Sequence, residues 1–218
     1  MGSNKTDKTD IIITTAQKLF YEKGLKETSF KEIAKICEIT KPLISYHFGS
    51  KAKLAGIVFG KYSADIQNTL AIQTYLKYPQ YDLMVIHTAN IMLNLKLYKE
   101  DPKAFRFYKE FMDSSFEDVT TGIELFYKAS NRQFKSKIDE ETLRLIYIYS
   151  NYASRGLIYN YFTGQIQSSF EKFEEFIIKS TYRVFMNSDK DIDLLITNGK
   201  ELLDKLNIKI CDYFKVQL

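Results

Sequence analysis

The sequence predicts an all-α fold: an N-terminal three-helix unit carrying a larger helical domain, about nine or ten helices in all. Three observations support this. Apolar residues recur at helical spacing along most of the 218 residues, alternating strand patterns with hairpin signals do not recur, and only three prolines interrupt the chain. The length is enough to bury a substantial core as one or two domains.

Ile12, Ala16, Leu19 and Phe20 fall on one face of a first helix that starts within Thr6–Asp10. Gly24 stops it, being free to take a left-handed conformation after the last turn. Residues 1–8 read as a flexible polar tail with no signal-peptide core. Gly2 and Thr6 match the loose myristoylation pattern, but a frayed tail or an expression scar is the preferred reading.

The second helix opens at Ser29 with Glu32 three residues on, a capping box, and turns Phe30, Ile33, Ala34 and Cys37 to one side. Cys37 reads as a small core residue, since nothing near it marks a thiolate site. Glu38-Ile39 forms a short turn and Thr40 caps a third helix. Lys41 and Pro42 stand in its first turn, where proline's missing amide costs little. Ile44 and Phe48 face inward, while Leu43, Ser45, Tyr46 and His47 are not claimed by the core. Ser50 caps a fourth helix running to about Tyr75.

Further helices are expected near 80–99, 102–113, 116–132, 139–163, 168–187 and 190–214, punctuated by Asp101-Pro102, Ser114-Ser115, Lys137–Asp139, Ser168-Ser169 and Ser188-Asp189. The division into domains is then 1–54, a helix-turn-helix unit, and 55–218, a helical body.

Charge separates the two parts. Residues 1–61 hold 11 lysines and six acids, whereas the remaining 157 hold 20 basic and 21 acidic residues. A basic head on a neutral body suits contact with nucleic acid; a merely lysine-rich surface is the plainer alternative. No apolar run reaches membrane-spanning length, and two cysteines make no disulfide framework, so a cytoplasmic protein is expected. His47 and His87 are the only histidines, and no metal-ligand spacing, phosphate loop or nucleophile motif occurs. No catalytic residue, metal or cofactor is therefore expected.

The run Ile12…Ala16…Leu19-Phe20…Gly24…Thr28-Ser29…Ile33-Ala34…Ile39-Thr40…Tyr46-His47-Phe48…Ser50-Lys51…Leu54 resembles the N-terminal domain of TetR-family transcriptional regulators. That resemblance implies a homodimer whose subunits each carry a DNA-binding head and an effector-binding helical body, paired through a four-helix bundle. Most such proteins are repressors that leave their operator when the effector binds. Two positions depart from the family pattern. Glu38 stands where glycine is usual, and Ser45 stands where a phosphate-touching tyrosine is common.

In a helix-turn-helix the second helix enters the major groove, its N-terminal residues nearest the bases. Lys41 and Ser45 are thus expected to contact base or backbone. Leu43 would pack on a thymine methyl, or else be an exposed leucine or second core contact. Thr28, Ser29 and Lys51, at helix starts, are expected phosphate contacts, and Thr40 is expected to contact DNA as well. Tyr46 and His47 join them on the resemblance.

In the body, Met84, His87, Tyr108, Phe111, Met112, Tyr127, Tyr152 and Arg155 are expected to line an apolar cavity with a few polar handles, ordinary core packing being the alternative for each. The 16 Tyr and 16 Phe, with no Trp, suit a flat or bulky apolar effector. Arg155 would hold an anionic group of that ligand or pair with a nearby acid. Helix 139–163 is apolar on more than one face, and Ser150, Ala153, Ser154 and Gly156 leave room for a neighbour. It is expected to pair with its partner together with 168–187, segment 190–214 being the alternative second pairing helix. The expected function is a ligand-responsive repressor of double-stranded operator DNA, released by a small apolar or aromatic effector. The alternative is a helix-turn-helix activator or adaptor without a ligand.

Overall fold

The structure, a computed structural model, describes residues 3–114 and 121–217. Three helices form the head: α1 (Ser3–Lys23), α2 (Phe30–Ile36) and α3 (Lys41–Phe48). The body holds α4 (Lys51–Lys77), α5 (Leu83–Glu100), α6 (Pro102–Ser114), α7 (Thr121–Gln133), α8 (Glu140–Phe162), α9 (Phe170–Tyr182) and α10 (Asp189–Leu206). A short hairpin of β1 (Lys209–Cys211) and β2 (Lys215–Gln217) closes the chain. The N-terminal stretch 116–120 of the expected seventh helix lies outside the described residues.

Caps set most of the helix starts. The side chains of Ser29, Ser50, Asp82, Asp139, Ser169 and Ser188 each accept from a first-turn amide. The capping box at α2 is half made: Ser29 Oγ accepts from Glu32 N at 3.2 Å, but the Glu32 carboxylate pairs with Lys23 instead. Thr40 holds the N-cap backbone conformation of α3 without a side-chain cap bond. Gly24 ends α1 at a φ of 92°.

Two expectations about boundaries are corrected. Helix α1 begins at Ser3, so residues 3–8 are helical and not a loose tail. The last helix stops at Leu206, because Asn207 takes the left-handed conformation (φ 50°) that closes a helix, and an antiparallel hairpin follows with Ile210 opposite Val216. The sequence reading missed that hairpin because its loop, Asp212-Tyr213-Phe214, has no glycine; Tyr213 and Phe214 hold φ values of 62° and 59° themselves.

One continuous core joins head and body, from Ile12 and Phe20 in α1 through Leu54, Tyr62 and Leu70 in α4 to Phe107, Leu202 and Phe214. Helix α4 crosses the boundary drawn at 54/55 without a break. Helix α10 packs along α5, where Gly199 permits close approach: a Cβ there would stand 3.1 Å from Thr88 Cγ2 and 3.3 Å from Ala89 N. Segment 190–214 is thus divided between α10 and the hairpin, with α10 packed along α5.

Candidate nucleic-acid interface and body pocket

The head presents α3 outward while Ile33, Ala34, Ile44 and Phe48 bury its base. Thr40, Lys41, Pro42 and Tyr46 are exposed, Tyr46 at 78%, and Leu43, Ser45 and His47 are half-buried beside them. Tyr46 and His47 meet edge to face at 5.4 Å. Lys35 and Lys41 are exposed and have no acidic partner among the described residues. The Thr40 hydroxyl, unused in capping, remains available at the N-terminus of α3.

Two of the expected contacts serve the head itself. Thr28 is 1% exposed and donates its hydroxyl to Gly24 O at 2.7 Å, so it braces the loop between α1 and α2 rather than reaching the surface. Lys51 Nζ donates to Lys26 O at 3.1 Å and Thr28 O at 2.8 Å, which ties that loop to the first turn of α4. Only one of its three protons is left for an outside acceptor. Ser29 is exposed, with its Oγ occupied by the cap.

The turn preceding α3 is left-handed at the position where the family pattern has glycine. Glu38 adopts a φ of 53°, and Ile39 N donates back to Ala34 O at 3.0 Å to complete the turn.

A pocket of about 580 Å³ opens in the body between α4, α5 and α8, with contributions from α6, α7 and α9. Three helical stripes make its walls. Phe59, Gly60, Ser63, Ala64 and Gln67 come from α4; His87, Asn90, Ile91, Asn94, Leu95 and Tyr98 from α5; Ser150, Asn151, Ser154, Arg155 and Ile158 from α8. Each set repeats every three or four residues, one helix face per wall. The size falls within the ordinary range of small-molecule sites, roughly 300–1,000 Å³.

Of the eight expected lining residues, His87, Tyr108, Tyr127 and Arg155 are brought together here. Met84 and Phe111 are fully buried in the packing around them, Met112 packs against the main core, and Tyr152 lies on the exposed side of α8; none of the four lines the pocket. The polar wall was missed. Its signal was the i, i+4 recurrence of Ser63 with Gln67, Asn90 with Asn94, and Ser150 with Ser154 on otherwise apolar helices. Ser150 and Ser154, read as room for a partner helix, face this pocket.

His87 is clamped by its surroundings. Its ring stacks on Phe126 at 3.4 Å between centroids, and Nδ1 lies 3.1 Å from the Tyr182 hydroxyl. Burial pulls its pKa down to about 3, so the imidazole is neutral near pH 7. Tyr182 donates to Met84 O at 2.9 Å, which ties α9 to α5 under the pocket.

At another wall, Tyr62 and Tyr98 hydroxyls meet at 3.2 Å, Tyr98 and Tyr108 rings lie 4.6 Å apart, and Tyr108 donates to Arg155 O at 3.2 Å. Burial pushes all three hydroxyls above the ordinary tyrosine range, and the positive charge of Arg155 pulls the other way. The guanidinium thus sits close to this tyrosine cluster. It has no ion pair or hydrogen bond with any described residue, so the expected pairing with a nearby acid is absent among them.

The family model for bacterial regulatory proteins of the tetR family matches residues 12–56, the span from α1 into α4 just described. Residues 12–56 are thus similar to the N-terminal domain of the tetR family. No curated protein sequence matches it. Among solved structures, a TetR-family transcriptional regulator from Streptomyces coelicolor is similar over 94% of this chain and 97% of its own, at 15% identity and a TM-score of 0.50. That likeness is one of fold, and it covers the body as well as the head. A TetR-family regulator from Shewanella sp. PV-4 (16% identity, 83% and 96% covered, TM-score 0.45) and a TetR-like one from Rhodococcus sp. RHA1 (18%, 81% and 94%, 0.41) are also similar. Among the described residues no helix is long and apolar enough to cross a membrane, and no group of three or more His, Cys, Asp or Glu is placed to hold a metal ion.

Proposed function

We propose that the chain is a homodimeric repressor that binds operator DNA through α3 and leaves it when a small, largely apolar effector fills the body pocket. The observation that carries this reading is that one helix serves both sites. The first turns of α4 pack the head through Leu54 and Lys51, and two turns later Phe59, Gly60, Ser63 and Gln67 form a pocket wall. An effector that prefers one tilt of α4 therefore prefers one head position, and DNA affinity changes by that preference and no more.

On the head, the exposed Thr40, Lys41 and Tyr46 and the half-buried Ser45 and His47 make the DNA-facing set, with Lys51 contributing its remaining proton. On the body, the dimer uses the outer face of α8 and α9. Leu145, Tyr149, Tyr152 and Gly156 follow one another at i, i+4, i+7 and i+11 along α8, and Phe176 of α9 is exposed as well. Leu145 is 63%, Tyr149 75% and Phe176 52% exposed, and large apolar side chains left open on neighbouring helices suit burial against a second copy. The two helices are locked to each other by Tyr161 stacking on Phe173 at 4.0 Å, which gives that face a rigid base.

The test is release. Compounds that raise the melting temperature of the full chain are added to the chain bound to DNA from upstream of its own gene, followed by fluorescence anisotropy. Release in proportion to thermal stabilisation is expected of a repressor. Stabilising compounds that leave DNA bound, or tighten it, would overturn the repressor reading in favour of an activator.

A further inference from the structure

We propose that the pocket recognises an apolar ligand bearing one anionic group, a carboxylate, with Arg155 as its counter-ion; this rests on the reading of the pocket as an effector site. The first argument is charge. Among the described lining residues there is no Asp, Glu or Lys, and Arg155 is the only fixed charge. His87 adds none near neutral pH, since burial holds it unprotonated. A cationic ligand would find no acid there, and a neutral one would leave the guanidinium unmatched.

The second argument is bookkeeping of hydrogen bonds. Arg106, another arginine of the body, donates to Tyr21 O at 2.7 Å, and Arg183 pairs with Asp189 at 3.3 Å. The Arg155 side chain has no such partner among the described residues, although it is half-buried in the wall. The nearby hydroxyls do not serve it: Tyr62 and Tyr98 bond each other, and Tyr108 donates to the Arg155 backbone. A partly desolvated guanidinium without an acceptor is costly, and its planar fork fits a carboxylate with two parallel bonds. The apolar part of the ligand has Phe59, Ile91, Leu95, Ile158 and Ile177 to lie against.

Calorimetric titration of the full chain with matched probes tests this. One series is naphthalene-1-acetate, its neutral amide and naphthylethylamine; the other is octanoate and octanol. In both series the acid should bind about tenfold or more tighter than the neutral compound, and the amine should bind weakest. Arg155→Met should remove the acid's advantage while keeping the affinity for the amide, and Arg155→Lys should keep part of it. Arg155→Gln, with unchanged melting temperature, guards against a folding defect, because Tyr108 uses only the backbone carbonyl. Equal binding of acid and amide to the wild type, or an acid preference that survives in both Arg155→Met and Arg155→Gln, would overturn the proposal and leave the pocket reading standing. If no member of either series binds the wild type, the pocket reading falls together with it.

Discussion

At Glu38 the chain holds a left-handed turn with a residue that resists it. The family pattern has glycine there, and the glutamate nevertheless takes a φ of 53°. A non-glycine residue in that conformation costs about 1–2 kcal/mol, part of which glycine would give back through its freer unfolded chain. Glu38→Gly should therefore raise stability by about 0.5–1 kcal/mol in urea unfolding. A loss of stability would mean the side chain makes a compensating contact.

His87 supplies a pH signature. Its folded pKa is lowered from 6.5 to about 3 by burial, so the unfolded chain binds a proton that the folded chain refuses. Stability from this group is present above pH 6.5 and falls on acidification toward pH 3, by at most about 1.4 kcal/mol per pH unit. Glu174, whose pKa is raised by burial, works in the opposite sense. His87→Asn should flatten the slope of stability between pH 6.5 and 5 in a series of melts. An unchanged slope would show that the imidazole titrates normally.

Residue-scale reading of the sequence succeeded where chemistry is local. Ser29 and Ser50 cap their helices, Thr40 takes the cap position without the side-chain bond, Asp139, Ser169 and Ser188 stand at helix starts where punctuation was expected, and Ile44 and Phe48 are buried as their spacing demanded. It failed at the pocket because aromatic and methionine side chains do not say whether they face a void or a neighbour. Met84 and Phe111 are core; the rings mostly stack on one another, as Phe20 does on Phe107 at 5.6 Å.

At the scale of elements, the least expected part is the terminal hairpin. It wedges Phe214 between head and body, stacked on Tyr62 at 4.6 Å, edge-on to Tyr21 at 5.1 Å and beside Phe107 at 5.2 Å. Gln17 donates to Tyr213 O and Tyr21 to Asp212, both at 2.9 Å, so α1 is pinned to the hairpin directly. Phe214→Ala should cost about 3–5 kcal/mol in equilibrium unfolding, the usual loss for a buried phenylalanine. A loss below 1 kcal/mol would mean the hairpin merely rests on the surface. The sequence hid this element because three-residue strands and a loop without glycine carry little pattern, and Asn207 was the single stop signal.

The crossing of α10 on α5 makes a second test. Gly199 faces Thr88, whose hydroxyl is already committed to Met84 O at 2.8 Å, and the Ala89 backbone. Neither yields easily, so Gly199→Ala should destabilise the chain by about 1 kcal/mol or more despite alanine's better helix propensity. Gly156 has open space around its Cβ position, and Gly156→Ala should stabilise the folded chain.

For the whole molecule, the layout of a basic head on a helical body was legible from the charge split and the motif run, and the continuity of the core across residue 54 was not. Long-range packing such as Phe214 on Tyr62 joins residues far apart in sequence, where periodicity says nothing. Assembly is the next question at this scale. Tyr149→Arg with Phe176→Arg should convert a dimer to a folded monomer in analytical ultracentrifugation, since like charges would meet across the α8–α9 face. A dimer that persists would place the interface elsewhere.

The central claim is that α3 holds DNA and that the rest of the chain governs it. It is tested most directly by the affinity for DNA upstream of the chain's own gene, measured by anisotropy over a range of salt concentrations for the wild type, Lys41→Ala and Tyr46→Ala. The expected result is binding that weakens steadily with salt, a slope smaller by about one for Lys41→Ala, and weaker binding for both variants with unchanged melting temperatures. Binding of equal strength and equal salt dependence in all three proteins would contradict it.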